Sequence, residues 1–150
     1  MLFFANLIDG QHNAYDFLIR QLEQHGINVI ACFGNDRQVL DTLLLDRDRR
    51  SRVDLVVAFS LKLYSAIDDD LRRALIDMNV PVLDAVNLYS NTIDAWRQDP
   101  IGIRPLEVVW TIAVPEMSGA AQPTPITGKI RLTDPDNGKR FSCTRPLRRR

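Results

Sequence analysis

The sequence lacks the glycine-rich signatures that identify several common enzyme classes. It contains seven glycines, and none of them forms a G-x-G-x-x-G, G-x-x-x-x-G-K-[ST] or G-x-S-x-G motif. The first two motifs hold phosphate groups at a helix N-terminus, and the third presents a nucleophilic serine. The sequence therefore gives no local support for nucleotide binding or for serine-type hydrolysis.

The chain also has only two cysteines and a formal net charge of zero. Cys32 and Cys143 lie far apart and form no C-x-x-C pair, which argues against a zinc site or a disulfide framework. Nineteen basic and nineteen acidic side chains cancel, so the composition gives no electrostatic reason for binding nucleic acid or a membrane surface. The apolar start, residues 1–5, is too short for a signal peptide or a membrane span. We therefore expect a cytoplasmic protein.

Apolar strands alternate with amphipathic helices up to Gly119. Predicted strands cover residues 2–8, 27–33, 53–59, 80–86 and 106–114, and predicted helices cover residues 14–25, 37–46, 66–78 and 92–98. Strands that are joined through helices run parallel, and strands that are apolar throughout are covered on both faces. The prediction is an α/β fold, a three-layer sandwich with a mostly parallel sheet of the flavodoxin or Rossmann type.

The pattern changes after Gly119. Residues 129–133 and 139–143 alternate polar and apolar side chains on either side of Asn137-Gly138. Asn-Gly favours a two-residue type I′ turn, so we expect a C-terminal β-hairpin added to the sheet. We therefore predict two parts. Residues 1–119 form an α/β domain, and residues 120–150 form a hairpin extension with a basic, truncated end.

Two side chains are candidates for substrate binding. Ligands of open α/β sheets bind beyond the carboxyl ends of the strands. His12, one of two histidines in the chain, lies in the loop after the first predicted strand, where its side chain should be exposed. Trp96 lies on the predicted helix 92–98, and its ring can either pack in the core or form an aromatic wall for a flat ligand. For His12 the alternative is a loop histidine without a partner.

Glu116 is the candidate for catalysis and for metal binding. It follows the predicted strand 106–114, and Pro115 should end that strand because proline fixes φ and cannot donate to a sheet ladder. A carboxylate that is fixed at the end of a strand can meet a cation or accept a proton. The alternative is a solvated loop residue.

Short motifs along the chain occur in the order typical of one protein family. They are D-L-V-V at residues 54–57, N-V-P-V-L at 79–83, T-I-D-A-W at 92–96, G-I-R-P at 102–105, A-V-P-E-M-S-G at 113–119 and D-P-D-N-G-K at 134–139. In this order they resemble the large subunit of the ATP-dependent metal chelatases, the CobN and magnesium chelatase H family. The resemblance covers almost the whole chain, and the last motif is more similar to the magnesium enzymes than to the cobalt enzymes.

This resemblance implies that the chain is a portion of the subunit that binds the tetrapyrrole and contains the site of metal entry. The implied reaction inserts Mg²⁺ into protoporphyrin IX or Co²⁺ into a corrin ring, a ligase reaction of porphyrin or cobalamin biosynthesis that forms nitrogen–metal bonds. In the family an AAA+ ATPase subunit and a second chelatase subunit supply ATP-driven motion, so this portion is not expected to act alone. If the role of the family's A-L-P-E-L-D-G motif is carried over to this chain, Glu116 holds a hard cation or accepts a pyrrole proton.

One departure from the family pattern affects the metal site. The family motif reads A-L-P-E-L-D-G, and Ser118 stands here in place of its second acid. A single carboxylate is a weak metal site by itself. Two other functions stay open: a chelatase-like protein that handles haem or removes its metal, and a non-catalytic α/β interaction module, which the same fold supports.

Overall fold

The computed structural model of the chain describes residues 12–32, 36–59 and 69–147. Several predicted features lie outside these residues: the first strand at 2–8, the start of the third predicted helix at 66–68 and the end of the basic extension at 148–150. The fold below is that of the described residues.

The described elements alternate between strand and helix over residues 56–98, as the sequence predicts, but not over the described residues before and after this range. In chain order they are α1 (Asn13–Gln24), α2 (Asp36–Val39) with a π-helical turn (Leu40–Leu44), β1 (Val56–Ala58), α3 (Asp69–Met78), β2 (Val82–Thr92), α4 (Ile93–Gln98), α5 (Pro105–Val108) with a second π-helical turn (Val109–Ala113), α6 (Val114–Met117), β3 (Ala121–Thr133) and β4 (Arg140–Pro146).

The four strands form one sheet in the order β1-β2-β3-β4. β1 pairs with β2 in parallel, and the first part of β3 also pairs with β2 in parallel. The second part of β3 pairs antiparallel with β4. β3 therefore belongs both to the parallel sheet and to the C-terminal hairpin. The predicted division at Gly119 falls just before this strand and stays a prediction.

Helices cover both faces of the sheet, which confirms the predicted α/β class. Neighbouring residues of a strand point to opposite faces. Ala58 packs in a cluster with side chains of α2, its π-helical turn and α3, whereas Phe59 packs with Tyr15 of α1. The rings of Tyr15 and Phe59 meet edge to face with their centroids 4.9 Å apart. The sheet is thus the middle one of three layers.

The predicted second strand is wrong over the described residues 27–32. None of these residues is in a strand, and Ile27 and Ile30 are 48% and 43% exposed. A strand needs a partner for its backbone hydrogen bonds, and no ladder to this segment forms in the described part of the chain. An apolar run of strand length is thus insufficient to predict a strand.

The predicted strand at residues 106–114 is also wrong, because residues 105–117 are helical. The segment consists of α5, the second π-helical turn and α6. Pro105 stands at the start of α5. Proline is favoured there because the first helical amide has no partner within the helix and the fixed φ of the ring suits the helix.

Two buried hydroxyl groups explain why this helix resembles a strand in sequence. Thr111 donates to the carbonyl oxygen of Glu107 at 2.7 Å, and Ser118 donates to that of Val114 at 3.0 Å. Hydroxyl groups that bond back to the helix in this way can be buried. Because two polar side chains face inward here, the apolar residues do not show the usual pattern of an amphipathic helix.

The hairpin is present, but its turn differs from the prediction. The last cross-strand pair is Thr133 with Arg140, so the connection is longer than a two-residue type I′ turn. Gly138 has a φ of +68°, whereas a type I′ turn requires positive φ at both central residues. Asp134 organises the loop by accepting from the backbone of Asp136 at 2.9 Å and from the side chain of Asn137 at 2.7 Å.

Helix α4 packs very closely on β3 at Gly128. A Cβ atom at this position would lie 2.8 Å from Cγ1 of Ile93 and 3.4 Å from Cβ of Leu88. The first distance is shorter than a van der Waals contact, so a larger residue at position 128 would displace α4 or the strand. The glycine is required here by close approach and not by its φ angle.

We predict that Gly128→Ala lowers the free energy of unfolding by about 1–3 kcal/mol through overpacking. The measurement is urea denaturation followed by circular dichroism. Ile93→Ala removes the opposing Cγ1 atom, so the double variant should be more stable than the sum of the two single effects predicts. Additive effects, within about 0.5 kcal/mol, would contradict the contact.

Candidate functional site

A groove lies between α1, α4 and the β3–β4 hairpin, and we call it the hairpin groove. Its volume is about 1010 Å³. Its apolar lining consists of Phe17, Ile93, Ile130, Leu132 and Pro146, and its polar lining consists of Asn13, Asp16, Arg20, Asp94, Arg97, Cys143, Thr144 and Arg145. Half-buried or buried apolar side chains therefore alternate with charged side chains that are mostly exposed.

Helix α1 forms one wall of the groove and lies against β4. The helix is anchored at its start by Ala14 and Tyr15, which are buried. It ends at Gly26, whose φ is +78° and whose amide donates to the carbonyl oxygen of Glu23 at 2.9 Å. Glycine is the usual residue after a helix because this left-handed conformation costs it no strain. The opposite, exposed side of the helix start then borders the groove.

Helix α4 forms the facing wall, directly after β2. Thr92 caps the helix, since its hydroxyl oxygen accepts from the amide of Ala95 at 3.3 Å. A threonine in this position satisfies one of the free amides of the first helical turn. Ile93 contacts β3 at Gly128, as described above. This contact places Asp94 and Arg97 on the groove lining.

Three arginines and two aspartates give the groove its charge. Arg20, Arg97 and Arg145 come from α1, α4 and β4, whereas Asp16 and Asp94 come from the two helices. In the part of the chain that the structure describes, Arg20 and Arg145 make no ion pair. Sequence reasoning missed these arginines as a group because they lie far apart in the chain, and only the fold brings them together.

The two predicted substrate-binding residues lie on the two helical walls. His12 immediately precedes α1, and its carbonyl oxygen accepts from the amides of Tyr15 and Asp16 at 2.9 and 3.0 Å. Its side chain is exposed, whereas Trp96 in α4 is half-buried. The described lining of the groove contains the chain neighbours of both residues but neither of the two side chains. Their role in binding stays a prediction.

Glu116 lies elsewhere, in the last helical turn of residues 105–117. It is exposed and does not belong to the described lining of the hairpin groove. A smaller cavity of about 350 Å³ between residues 27–32 and β1 does not include it either. Glu116 is therefore not held at a strand end, and its role in catalysis or metal binding stays a prediction.

Exposed apolar side chains occur on the same helical segment as Glu116. We call them the outer stripe, and they are Leu106, Val109, Trp110 and Met117, exposed at 76, 45, 44 and 74%. Their spacing of three, one and seven residues fits one side of a helix. Exposed apolar patches of this kind are typical of surfaces that contact another molecule.

Polar residues also occur in the centre of the sheet, one within the predicted strand at residues 80–86 and one just beyond its end. Asp84 and Asn87 interrupt the apolar strand β2, and both are buried. Asn87 pairs with Thr127 of β3, which is 0% exposed. Within the described residues, Oδ1 of Asn87 and Oγ1 of Thr127 have no hydrogen-bond partner. The signal for these residues was a carboxylate and an amide inside an otherwise apolar strand.

The described residues contain neither a cluster of potential metal ligands nor a helix that could span a membrane. No group of three or more His, Cys, Asp or Glu side chains with the arrangement of a metal site occurs among them. Each helix in these residues is too short or too polar to span a bilayer.

The fold and the groove define an α/β domain with an amphipathic ligand-sized groove, and comparison with known proteins gives the family. A family model described as CobN/Magnesium Chelatase matches residues 1–150. The chain therefore belongs to the CobN/magnesium chelatase family. No solved structure matches the chain.

Several relatives are named as magnesium-chelatase subunits. The H subunit from Rhodobacter capsulatus is 30% identical over an alignment of 123 positions, which covers 77% of this chain and 10% of the relative. The H subunit from Chlorobaculum parvum is 30% identical over an alignment of 136 positions, which covers 82% of this chain and 10% of the relative. The chloroplastic ChlH subunit from Oryza sativa subsp. indica is 26% identical over 161 aligned residues, 96% of this chain and 11% of the relative. The chain thus spans about a tenth of the length of these curated relatives.

The unpartnered hydroxyl of Thr127 makes a testable contrast with the bonded hydroxyl of Thr111. The two side chains are equally inaccessible, with exposed fractions of 0% and 1%. We expect Thr127→Val to leave the free energy of unfolding within about 0.5 kcal/mol or to raise it, because no hydrogen bond is lost. Thr111→Val should lower it by about 1 kcal/mol, the net value of a hydrogen bond. Urea denaturation of both variants measures the difference, and equal losses would contradict the assignment.

Proposed function

We propose that the chain is a portion of the large tetrapyrrole-binding subunit of an ATP-dependent metal chelatase. The observation on which this rests is the family match over residues 1–150, together with relatives that are named as the H subunit of magnesium chelatase. The hairpin groove adds structural support, because a surface with both apolar and cationic side chains suits a flat ring that bears carboxylates.

The proposed reaction is insertion of Mg²⁺ into protoporphyrin IX, with Co²⁺ insertion into a corrin ring as the other member of the class. The names of the relatives favour magnesium. ATP would be hydrolysed by an AAA+ partner subunit, aided by a second chelatase subunit. The cytoplasm is the proposed location.

Glu116 has the chemistry to accept a pyrrole proton as the metal enters the ring. Its carboxylate is exposed and so is accessible to a substrate. Ser118, which replaces the second acid of the family motif, is 4% exposed and donates to the carbonyl oxygen of Val114. A single accessible carboxylate favours proton transfer over tight binding of Mg²⁺, since that ion takes several oxygen ligands.

A second candidate function is a non-catalytic interaction module, and the outer stripe favours it. Exposing Leu106 and Met117 to water is unfavourable unless another molecule or domain covers them. In this alternative Glu116 is a polar residue at the border of a contact surface. Haem handling by a chelatase-like protein is a variant of the first proposal and differs from it in the preferred ring.

Ring binding provides the first test of the proposed function. The 150-residue chain is titrated with protoporphyrin IX, its magnesium form, haem and a metal-free corrin, and tryptophan fluorescence is recorded. We expect saturable quenching by protoporphyrin IX or its magnesium form. Preferential binding of haem would favour the haem-handling alternative. Absence of binding to all four rings would contradict tetrapyrrole binding by this chain.

Replacement of Glu116 provides the second test. In a complete subunit that contains this region, assembled with its partner subunits, Glu116→Gln should lower the rate of metal insertion about 100-fold, because glutamine cannot accept the proton. Ring binding should change less than about twofold. The matched control is Glu23→Gln, the same change on an exposed residue of α1. Unchanged insertion in the Glu116 variant would favour the interaction module.

A further inference from the structure

The hairpin groove brings arginines from three separate elements together around an apolar surface. We propose that it binds the carboxylate-bearing edge of the tetrapyrrole, with Arg20 and Arg145 contacting the carboxylates and Ile130 and Leu132 contacting the ring. This inference rests on the proposed function and assigns its substrate to a particular surface of the chain.

The size of the groove suits a large ligand. Its volume of about 1010 Å³ lies at the upper end of the range of about 300–1,000 Å³ found for small-molecule pockets. Ile130 and Leu132 are half-buried neighbours on one face of β3, so they present a continuous apolar surface. A macrocycle can bury such a surface, whereas a small polar metabolite would leave most of it in contact with water.

The charges of the groove suit carboxylates at one end of that ligand. Arginine presents a planar fork of donors that matches a carboxylate, and such charge-assisted pairs are among the stronger hydrogen bonds. Arg20 and Arg145 form no ion pair in the described ranges of the chain, so their donors are not already used for one. The arginines outnumber the aspartates of the lining by three to two.

The aspartates of the lining restrict where an anion can bind. Asp16 precedes Arg20 by one helical turn on α1, and Asp94 precedes Arg97 by about one turn on α4. Each helical arginine therefore has an acid near it that reduces the local positive charge. Arg145 on β4 lies between Thr144 and Pro146 and has no such neighbour in its strand. We expect Arg145 to make the stronger of the two contacts.

The experiment compares protoporphyrin IX with its dimethyl ester, which keeps the ring and lacks the charges. In the 150-residue chain, Arg145→Gln should weaken protoporphyrin IX binding about tenfold, as expected for loss of a charge-assisted hydrogen bond. Arg20→Gln should weaken it less, about threefold, because Asp16 already reduces the positive charge near Arg20. Neither variant should change binding of the ester. Arg73→Gln, the same change at an exposed position of α3, is the matched control.

Cys143 provides a second readout at the same surface. It lines the groove and is half-buried, whereas Cys32 is buried. A bound ring should slow alkylation of Cys143 several-fold and leave that of Cys32 unchanged. Circular dichroism establishes that each arginine variant is folded.

The outcomes separate the two proposals. If the wild-type chain binds neither protoporphyrin IX nor its ester, the proposed function is contradicted. If it binds both rings equally, with no effect of the arginine variants and no protection of Cys143, the ring binds elsewhere and only the groove assignment is overturned.

Discussion

The approach of α4 to β3 at Gly128 fixes the geometry on which the candidate site depends. A side chain at this position would lie within 2.8 Å of Ile93, so the helix can come this close only to a glycine. Because α4 follows β2 directly, the contact also sets the direction in which the helix leaves the sheet. That direction places Asp94 and Arg97 opposite α1 and β4, and the space between them is the hairpin groove.

The order of helices and strands could be predicted from the sequence wherever the apolar period was clear, as in α1, α3, β2 and α4. The helical segment at residues 105–117 could not, because four of its apolar side chains are exposed, whereas Thr111 and the following Ser118 are buried. Hydrogen bonds of these hydroxyls to the helix backbone replace the apolar burial that a sequence pattern detects. Burial in the folded protein, and not the apolar pattern of the sequence, therefore determines that this segment is a helix.

The candidate site was predictable only in part, because its residues are distant in sequence. His12 and Trp96 were chosen for their position after a strand and for their aromatic surface. The fold places His12 immediately before α1 and Trp96 within α4, but the described lining of the groove contains neither side chain. Arg20 and Arg145 gave no sequence signal, since an isolated arginine on an amphipathic segment is normally solvated. These arginines form a candidate site only because the fold brings them to one groove, and this depends on the packing of α1 on β4.

Glu116 needs a covering surface before its carboxylate can act efficiently. In water the attraction between a carboxylate and a cation is weak because the dielectric constant is high, and active sites strengthen it by excluding water. The outer stripe offers a nearby apolar surface for such a cover, with Leu106 and Met117 about three-quarters exposed. The described lining of the hairpin groove shares no residue with this stripe, so the two surfaces can be tested with separate substitutions. If the groove binds the ring's carboxylates and Glu116 accepts the proton, as proposed, substitutions in the groove should affect ring binding and substitution of Glu116 should affect metal insertion.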